Sequence, residues 1–412
     1  MLLRWRKSLT GSVSAAALFV LLAGSAHAQT PALTRQRVAD LVKVAPAAQV
    51  SKAEVGVSRA AVTAAGIISL ENPVVSGLGG VRFNPDGSRT FNGVATVSWP
   101  VDLGGKRGAR LDAAKSENRA AVGLAEAEQR DLLLGALLQH AAVLRDHRHV
   151  AIATERHSLT ERLFAAAQRR RAAGTVPELD VALAAMQEKR DASALATAAG
   201  DRDGDEVLLF TMLGLSGTPS VEGALVPEGE PQALALLVKQ SGQRADVRAA
   251  VASVDAARAK SDRERAARWP TVSILGQYSR DDGANIGLLG LAVPLPVLNA
   301  NRTEVLTSTA ELTTAKARVA QSRARADGQV KELYARFLAT RAAMDTLAPT
   351  AALAGRAVNL ATRGYELGEN DLASVLLVRR EAIEVEEKLL ETQHAHAVVK
   401  IELFTLAGRI PQ

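Results

Sequence analysis

The chain contains no cysteine and only 13 aromatic residues in 412. The first absence excludes disulfide frameworks, cysteine zinc sites, iron-sulfur clusters and thiol catalysis. The second argues against several conventional cores, because Phe, Tyr and Trp supply much of the area that such cores bury. Alanine must therefore fill much of the interior. A charge excess of one sign is also lacking. The chain has 50 Lys and Arg against 44 Asp and Glu, and three of the basic residues, Arg4, Arg6 and Lys7, sit ahead of an apolar run. Without them the balance is 47 to 44, a net charge of +3 that gives no reason to expect a nucleic-acid partner.

What is present at the start is an export signal. The basic residues are followed by an apolar run from about Val13 to Ala23 and by Ala26-His27-Ala28, an A-x-A cleavage site before Gln29. The run is shorter than the roughly 20 residues that span a bilayer. Residues 1–28 therefore read as a signal peptide. No later stretch is apolar enough for a spanning helix, so the exported chain is either soluble in the periplasm or inserted as β-structure.

The remainder is one unit written twice. LFTMLG (Leu209 to Gly214) returns as LFTLAG (Leu403 to Gly408), an offset of 194 residues. At that same offset Gly174, Val181 and Leu183 match Gly368, Val375 and Leu377, and Pro100 matches Pro294. The first repeat is assigned to 29–217, a Pro-rich linker to 218–230 and the second repeat to 231–412. Each begins with a helical stretch, about 33–70 and 231–268. Two short alternating segments follow, predicted as β-hairpins over 73–101 and 270–298. The first turns at Asn84-Pro85-Asp86-Gly87, the second at Asp281-Asp282-Gly283. Next comes a proline-free stretch from Lys106 to Ala173, which as helix would reach roughly 100 Å at about 1.5 Å per residue. Its counterpart from Arg302 to Leu367 contains Pro349, expected to kink or divide it. Gly174 and Gly368 suit helix ends, and Pro177 suits the start of the returning helix. The product is two very long antiparallel helical hairpins with tips at 174 and 368.

Five aromatics, Phe83, Phe91, Trp99, Trp269 and Tyr278, lie in or beside the four short segments. Strands of about ten residues match the thickness a tilted barrel strand crosses, and aromatics gather at barrel interfaces. Four strands leave two open edges, which hydrocarbon does not tolerate. A membrane role therefore requires several chains to share one barrel. A soluble protein with two capped hairpins is the alternative.

No chemistry of the chain's own is expected. H-E-x-x-H, G-x-S-x-G and Walker patterns are missing, and no cofactor or metal site is assigned. His140, His147, His149 and His157 share one helix, with His394 and His396 on another. His140 and His147 lie seven apart on one face, which would suit ligands in an oligomer, but solvated or interface histidine is the reading adopted. Arg169, Arg170 and Arg171 complement a helix C-terminus rather than form a nucleic-acid patch. Gly104, Gly105, Lys106 and Arg107 read as a tight strand-to-helix turn with its cations at the membrane interface, not as a phosphate cradle.

These residues resemble the TolC-like family of outer-membrane efflux proteins over essentially the whole mature length. The resemblance is carried by the duplicated strand-to-helix turns, the glycine tips and the repeat ends LFTMLG and LFTLAG. Within the family, VSWPVDLGGKRGARLDAAKSE (Val97 to Glu117) and VPLPVLNANRTEV (Val293 to Val305) are similar to the junctions of the CzcC-type subgroup, which serves heavy-metal cation exporters. The resemblance implies a fold that is mainly α with a small membrane β part. Duplicated long α-helical hairpins form a periplasmic tunnel, and four strands per chain contribute to a shared twelve-stranded barrel in a homotrimer. It implies a passive exit duct in the outer membrane, surrounded by lipid. An inner-membrane resistance-nodulation-division pump would deliver cargo through a periplasmic adaptor. Arg171, Gly174, Thr175, Tyr365, Gly368 and Glu369 become the expected adaptor-facing tip residues. Asp180, six after the tip glycine, is a tunnel-mouth candidate, but Ser374 stands at the second acidic place and leaves a doubled acidic ring in question. The usual R-P-D opening of the second repeat is Arg244-Ala245-Asp246. A multidrug or type I secretion duct of the same fold, or a soluble coiled-coil adaptor, are the alternative functions. An adaptor would need only one hairpin and more sheet.

Overall fold

The computed structural model describes residues 32–69, 71–297 and 299–411. The signal peptide assigned to 1–28 lies outside them. Twelve elements follow one order twice: two helices, two strands, two helices. The first set is α1 (Arg35–Val42), α2 (Pro46–Ala65), β1 (Val74–Phe83), β2 (Arg89–Asp102), α3 (Lys106–Ala172) and α4 (Glu178–Leu213). The second is α5 (Leu234–Ser241), α6 (Ala245–Ala266), β3 (Thr271–Asp281), β4 (Ala284–Ala292), α7 (Arg302–Leu367) and α8 (Leu372–Leu406).

Each opening helix, expected as one, is divided in two. Pro46 is the cause in the first copy. It occupies the first turn of α2, where its missing N–H costs nothing, and holds Ala45 extended at ψ 153°. The second copy breaks at the same place without a proline. Arg244 stays extended at ψ 151°, and its guanidinium folds onto Asp246 through two 3.1 Å hydrogen bonds. Asp246 thus complements the start of α6, so the Arg-Ala-Asp sequence still makes a helix boundary.

The expected division of α7 does not occur, since the helix runs unbroken through Pro349. The proline lies on an exposed face, so the carbonyl it deprives of a partner meets water. Packing along α8 on both sides offsets the lost rung.

All four strands form one antiparallel sheet in the order β1-β2-β3-β4. The β3–β4 connection is a two-residue turn in which Asp282 (φ 49°) and Gly283 (φ 80°) are both left-handed. That geometry matches the strand twist. β2 meets β3 along Gly93↔Arg280 to Asp102↔Thr271, which joins the two copies. β1 and β4 are edges and are exposed along their whole length. Val75, Leu78, Leu289 and Leu291 stand among their exposed apolar residues.

Three apolar clusters hold the helices. One surrounds Leu137, Val143, Leu209 and Phe210, and its repeat counterpart surrounds Phe337, Val399 and Leu403. The repeated LFT strings therefore place Leu209 and Leu403 in equivalent interiors. The third cluster lies at the tips.

Candidate functional site

Two regions concentrate unusual backbone. At the first tip, α3 ends in Arg169, Arg170 and Arg171, and α4 begins with Glu178 and Asp180. Cations close one helix end and anions open the next, each complementing its dipole. Gly174 has φ 74°. Its N–H donates to the Arg171 carbonyl at 2.9 Å, and the Thr175 N–H donates to that of Arg170 at 3.0 Å. The Thr175 hydroxyl donates to the same Arg170 carbonyl. Arg171 pairs with Glu178 at 3.0 Å across the turn, both side chains exposed.

The second tip repeats the design with different side chains. Gly368 has φ 86° and donates to the Tyr365 carbonyl at 3.1 Å. Glu369 and Asn370 both donate to the Gly364 carbonyl, at 2.8 and 3.2 Å. Asp371 caps α8 by accepting from the Ser374 N–H at 2.9 Å. The Ser374 side chain, and next its N–H, hold the Asp371 carboxyl below its ordinary range. Ser374 is exposed and Asp180 half-buried. A Cβ on Gly364 would displace the exposed Asn370 amide.

Tyr365 is the correction at the tips. Its side chain is fully buried among Leu163, Ala184, Leu372 and Val375, so it is core rather than an exposed contact. Tyr365 was expected to face the adaptor because it flanks the second tip turn, but α3, α4 and α8 together cover it. Burial pushes its phenol pKa up, opposed by Arg170 and helped by Asp180. Sequence reading missed Arg170, which lies over the Tyr365 ring at 4.7 Å and donates to the Tyr365 carbonyl at 2.8 Å. The adjacent arginines looked alike, and only the 3.6-residue period distinguishes the inward one from its neighbours.

At the other end of α3, Gly104 (φ 68°) and Gly105 (φ 75°) are consecutive left-handed residues. A Cβ on Gly104 would sit 2.5 Å from Trp269 Cγ, whereas one on Gly105 would meet open space. Lys106 Nζ donates to Thr271 Oγ1 at 2.9 Å. Arg107 donates twice to the Gly66 carbonyl, at 3.1 and 2.8 Å. These cations are thus committed to tying α3 to β3 and to the end of α2, a role the expected interface placement did not include. Arg110, also missed, bridges Asp102 at 2.9 Å and the Ile67 carbonyl at 2.7 Å.

The histidines do not gather. His140 is fully buried, not solvated, and its Nε2 lies 2.9 Å from the Leu33 carbonyl. Desolvation lowers its pKa to about 4. His147 instead pairs with Glu206 at 2.7 Å. Among the described residues no group of three or more His, Asp or Glu could hold a metal ion. No described helix is long and apolar enough to cross a membrane.

A four-stranded sheet with exposed apolar edge strands, continued by two helical hairpins of more than 60 residues in their longer arms, defines an outer-membrane channel architecture. The chain belongs to the outer membrane efflux protein family, whose model matches residues 30–215 and 236–409. It is an outer-membrane protein with a long periplasmic helical extension. It is 26% identical over 299 residues to the cobalt-zinc-cadmium resistance protein CzcC of Cupriavidus metallidurans, covering 71% of each chain. Its fold matches a membrane protein from Pseudomonas aeruginosa, at 20% identity and TM-score 0.69 over 90% of this chain and 93% of that one. It also matches the CmeC outer membrane channel of Campylobacter jejuni, at 14% identity and TM-score 0.72 over 91% of this chain and 85% of that one.

Proposed function

We propose that three copies close a twelve-stranded barrel and act as the passive exit duct of a tripartite efflux system. The observation that carries this reading is the sheet with two unpaired apolar edges, β1 and β4. Backbone groups on an open edge have no partner in hydrocarbon, so the edges must pair with other copies. Light scattering with the detergent mass subtracted tests it: a trimer is expected, and a monodisperse monomer would overturn the reading. Cleavage after Ala28 would deliver the mature chain to the periplasm for insertion.

The cargo class is divalent heavy-metal cations, supported by the likeness to CzcC and by the junction sequences around Gly104 and Asn301. An inner-membrane resistance-nodulation-division pump selects the cargo, and a periplasmic adaptor docks on the tips. Arg171, Gly174, Thr175, Gly368 and Glu369 are exposed there and form the docking surface. Asp180 supplies a single acidic ring at the tunnel mouth, since Ser374 adds no charge. Deleting the gene should make cells hypersensitive to zinc, cobalt or cadmium. Hypersensitivity confined to organic toxins would instead point to a multidrug duct.

A further inference from the structure

The strands alternate two kinds of residue, and the register of the sheet collects each kind on one face. Phe91, Val97 and Trp99 of β2 share a face with Ile274 of β3 and with Leu289 and Leu291 of β4. Asn92, Thr96, Ser98, Gln277 and Ser279 share the other. In a closed barrel the apolar face meets lipid, and the hydroxyl and amide face lines the lumen. Charge divides between the faces as well. On the lumen side Arg82 pairs with Asp281 at 3.3 Å, and the Asn92 amide donates to the same carboxylate at 2.6 Å. The lipid side carries Arg89 and Arg280 and no acid on any strand. Both arginines are exposed, and among the described residues neither forms an ion pair.

A lipid-facing arginine is costly at the bilayer midplane and nearly free at the interface, so its height on the strand matters. Each of these is the last lipid-facing strand residue at its turn. Arg89 opens β2 opposite Phe83, which ends β1, and Arg280 stands one residue before the end of β3. The helices join the opposite ends of the strands, so the two turns point away from the periplasm. Both guanidinium groups therefore reach the outer headgroup level, with their stems along the sheet. The Arg89 guanidinium lies over the Phe83 ring at 5.1 Å. Arg280 is paired on one side with Gly93 and on the other with Asn285. The Tyr278 hydroxyl donates to Asn285 Oδ1 at 2.8 Å, which leaves the amide N–H groups of Asn285 as donors beside the guanidinium. Gly93 pairs in turn with Gly79, and the Phe91 ring lies over both glycines. The result is a row of donors above an apolar floor. Asp86 and Asp282 belong to the turns, and Asp86 accepts from the Ser88 N–H and hydroxyl.

Resting on the barrel reading above, we propose that Arg89, Arg280 and the Asn285 amide bind the phosphate groups of the outer-leaflet glycolipid, lipopolysaccharide, whose acyl chains lie against Phe91 and the apolar face below it. Donors without a competing acid select an anion, and guanidinium groups match the oxygens of a phosphate. The apolar floor selects an anion that carries acyl chains over a free one. Height selects the leaflet, because the lipid face bears no cation on its strands at the periplasmic end. Three copies present three such sites around the outer rim.

Native mass spectrometry of the detergent-purified full chain, titrated with lipid A, tests the site. Lipid A should bind the parent trimer, and lipid A stripped of its phosphates should bind far more weakly. R89Q/R280Q should bind lipid A roughly 30-fold more weakly than the parent, the product of two headgroup cations. R82Q, altered on the lumen face, should bind as the parent does. Equal binding of intact and dephosphorylated lipid A by the parent would overturn the proposal, and this arm decides alone if R89Q/R280Q does not assemble. An assembled R89Q/R280Q trimer that binds as tightly as the parent would overturn it too. Equal affinity for phosphatidylglycerol, or displacement of lipid A by inorganic phosphate, would overturn the choice of the glycolipid. Light scattering on the same samples separates the two readings: a monomer would remove the barrel, whereas an intact trimer indifferent to phosphate would remove this site alone.

Discussion

Arg170 and Tyr365 join the two tips of one chain: the guanidinium lies 4.7 Å over the ring and donates to the Tyr365 carbonyl at 2.8 Å. The contact closes the end of α7 with a residue from α3, so the turns are held as a pair. The phenol oxygen, by contrast, is buried without a hydrogen-bond partner. Tyr365→Phe should therefore be neutral or stabilising by up to about 1 kcal/mol, because an unpaired buried hydroxyl is costly. Tyr365→Ala should cost about 3–5 kcal/mol through the cavity it leaves. Thermal unfolding followed by limited proteolysis at the tips measures both.

Glycine substitutions should separate docking from folding. Gly174 and Gly368 have positive φ, and a Cβ on Gly174 would meet nothing within 4 Å. A β-branched residue there faces only the left-handed backbone cost, roughly 1–2 kcal/mol. Gly368→Val should leave trimer abundance near normal and abolish the resistance conferred by the whole system. Efflux falling only in proportion to trimer yield would refute a tip docking role. At the strand-to-helix turn, Gly104→Ala adds a clash with Trp269 to the same backbone cost, while Gly105→Ala adds none. Heat-modifiable trimer on gels should fall much further for the first than for the second.

Most of this architecture was legible because its signals are long or doubled. A 67-residue helix without proline and a repeated string at one offset need no tertiary context to be read. The position of the second hairpin turn, at Asp281-Asp282-Gly283, was likewise legible. What escaped was set by packing between distant segments. Tyr365 and Arg170 are 195 positions apart, and nothing local marks one as core and the other as its cover. The division expected at Pro349 did not occur, because the residue faces water, where the carbonyl that loses its partner is solvated. His140 looked like its neighbour His147, yet only the former points into the cluster around Leu33 and Leu144.

The buried ion pair between Arg379 on α8 and Asp191 on α4 should be costly to break and cheap to replace. Asp191→Asn or Asp191→Ala leaves a buried guanidinium uncompensated, at about 3–5 kcal/mol. Exchanging both groups for apolar residues of similar size, as in R379M/D191L, should recover most of that loss. A double-mutant cycle on the unfolding midpoint reads the difference, and additive losses would contradict a coupled pair.

His140 makes a pH-dependent contribution of defined sign. Burial lowers its pKa to about 4 in the folded chain, against about 6.5 when unfolded. Above pH 6.5 both states are neutral and the contribution is fully present. As pH falls from 6.5 to 4 the unfolded chain binds a proton that the folded chain refuses, so stability declines across that window. The integrated loss is on the order of 3 kcal/mol per chain, and it levels off once both states are protonated. His140→Gln keeps a donor for the Leu33 carbonyl but has no proton to gain. Acid unfolding of the variant should therefore show a shallower slope between pH 6.5 and 4 than the parent, with similar slopes above pH 7. Parallel curves through the whole range would show that His140 gains its proton as readily when folded as when unfolded.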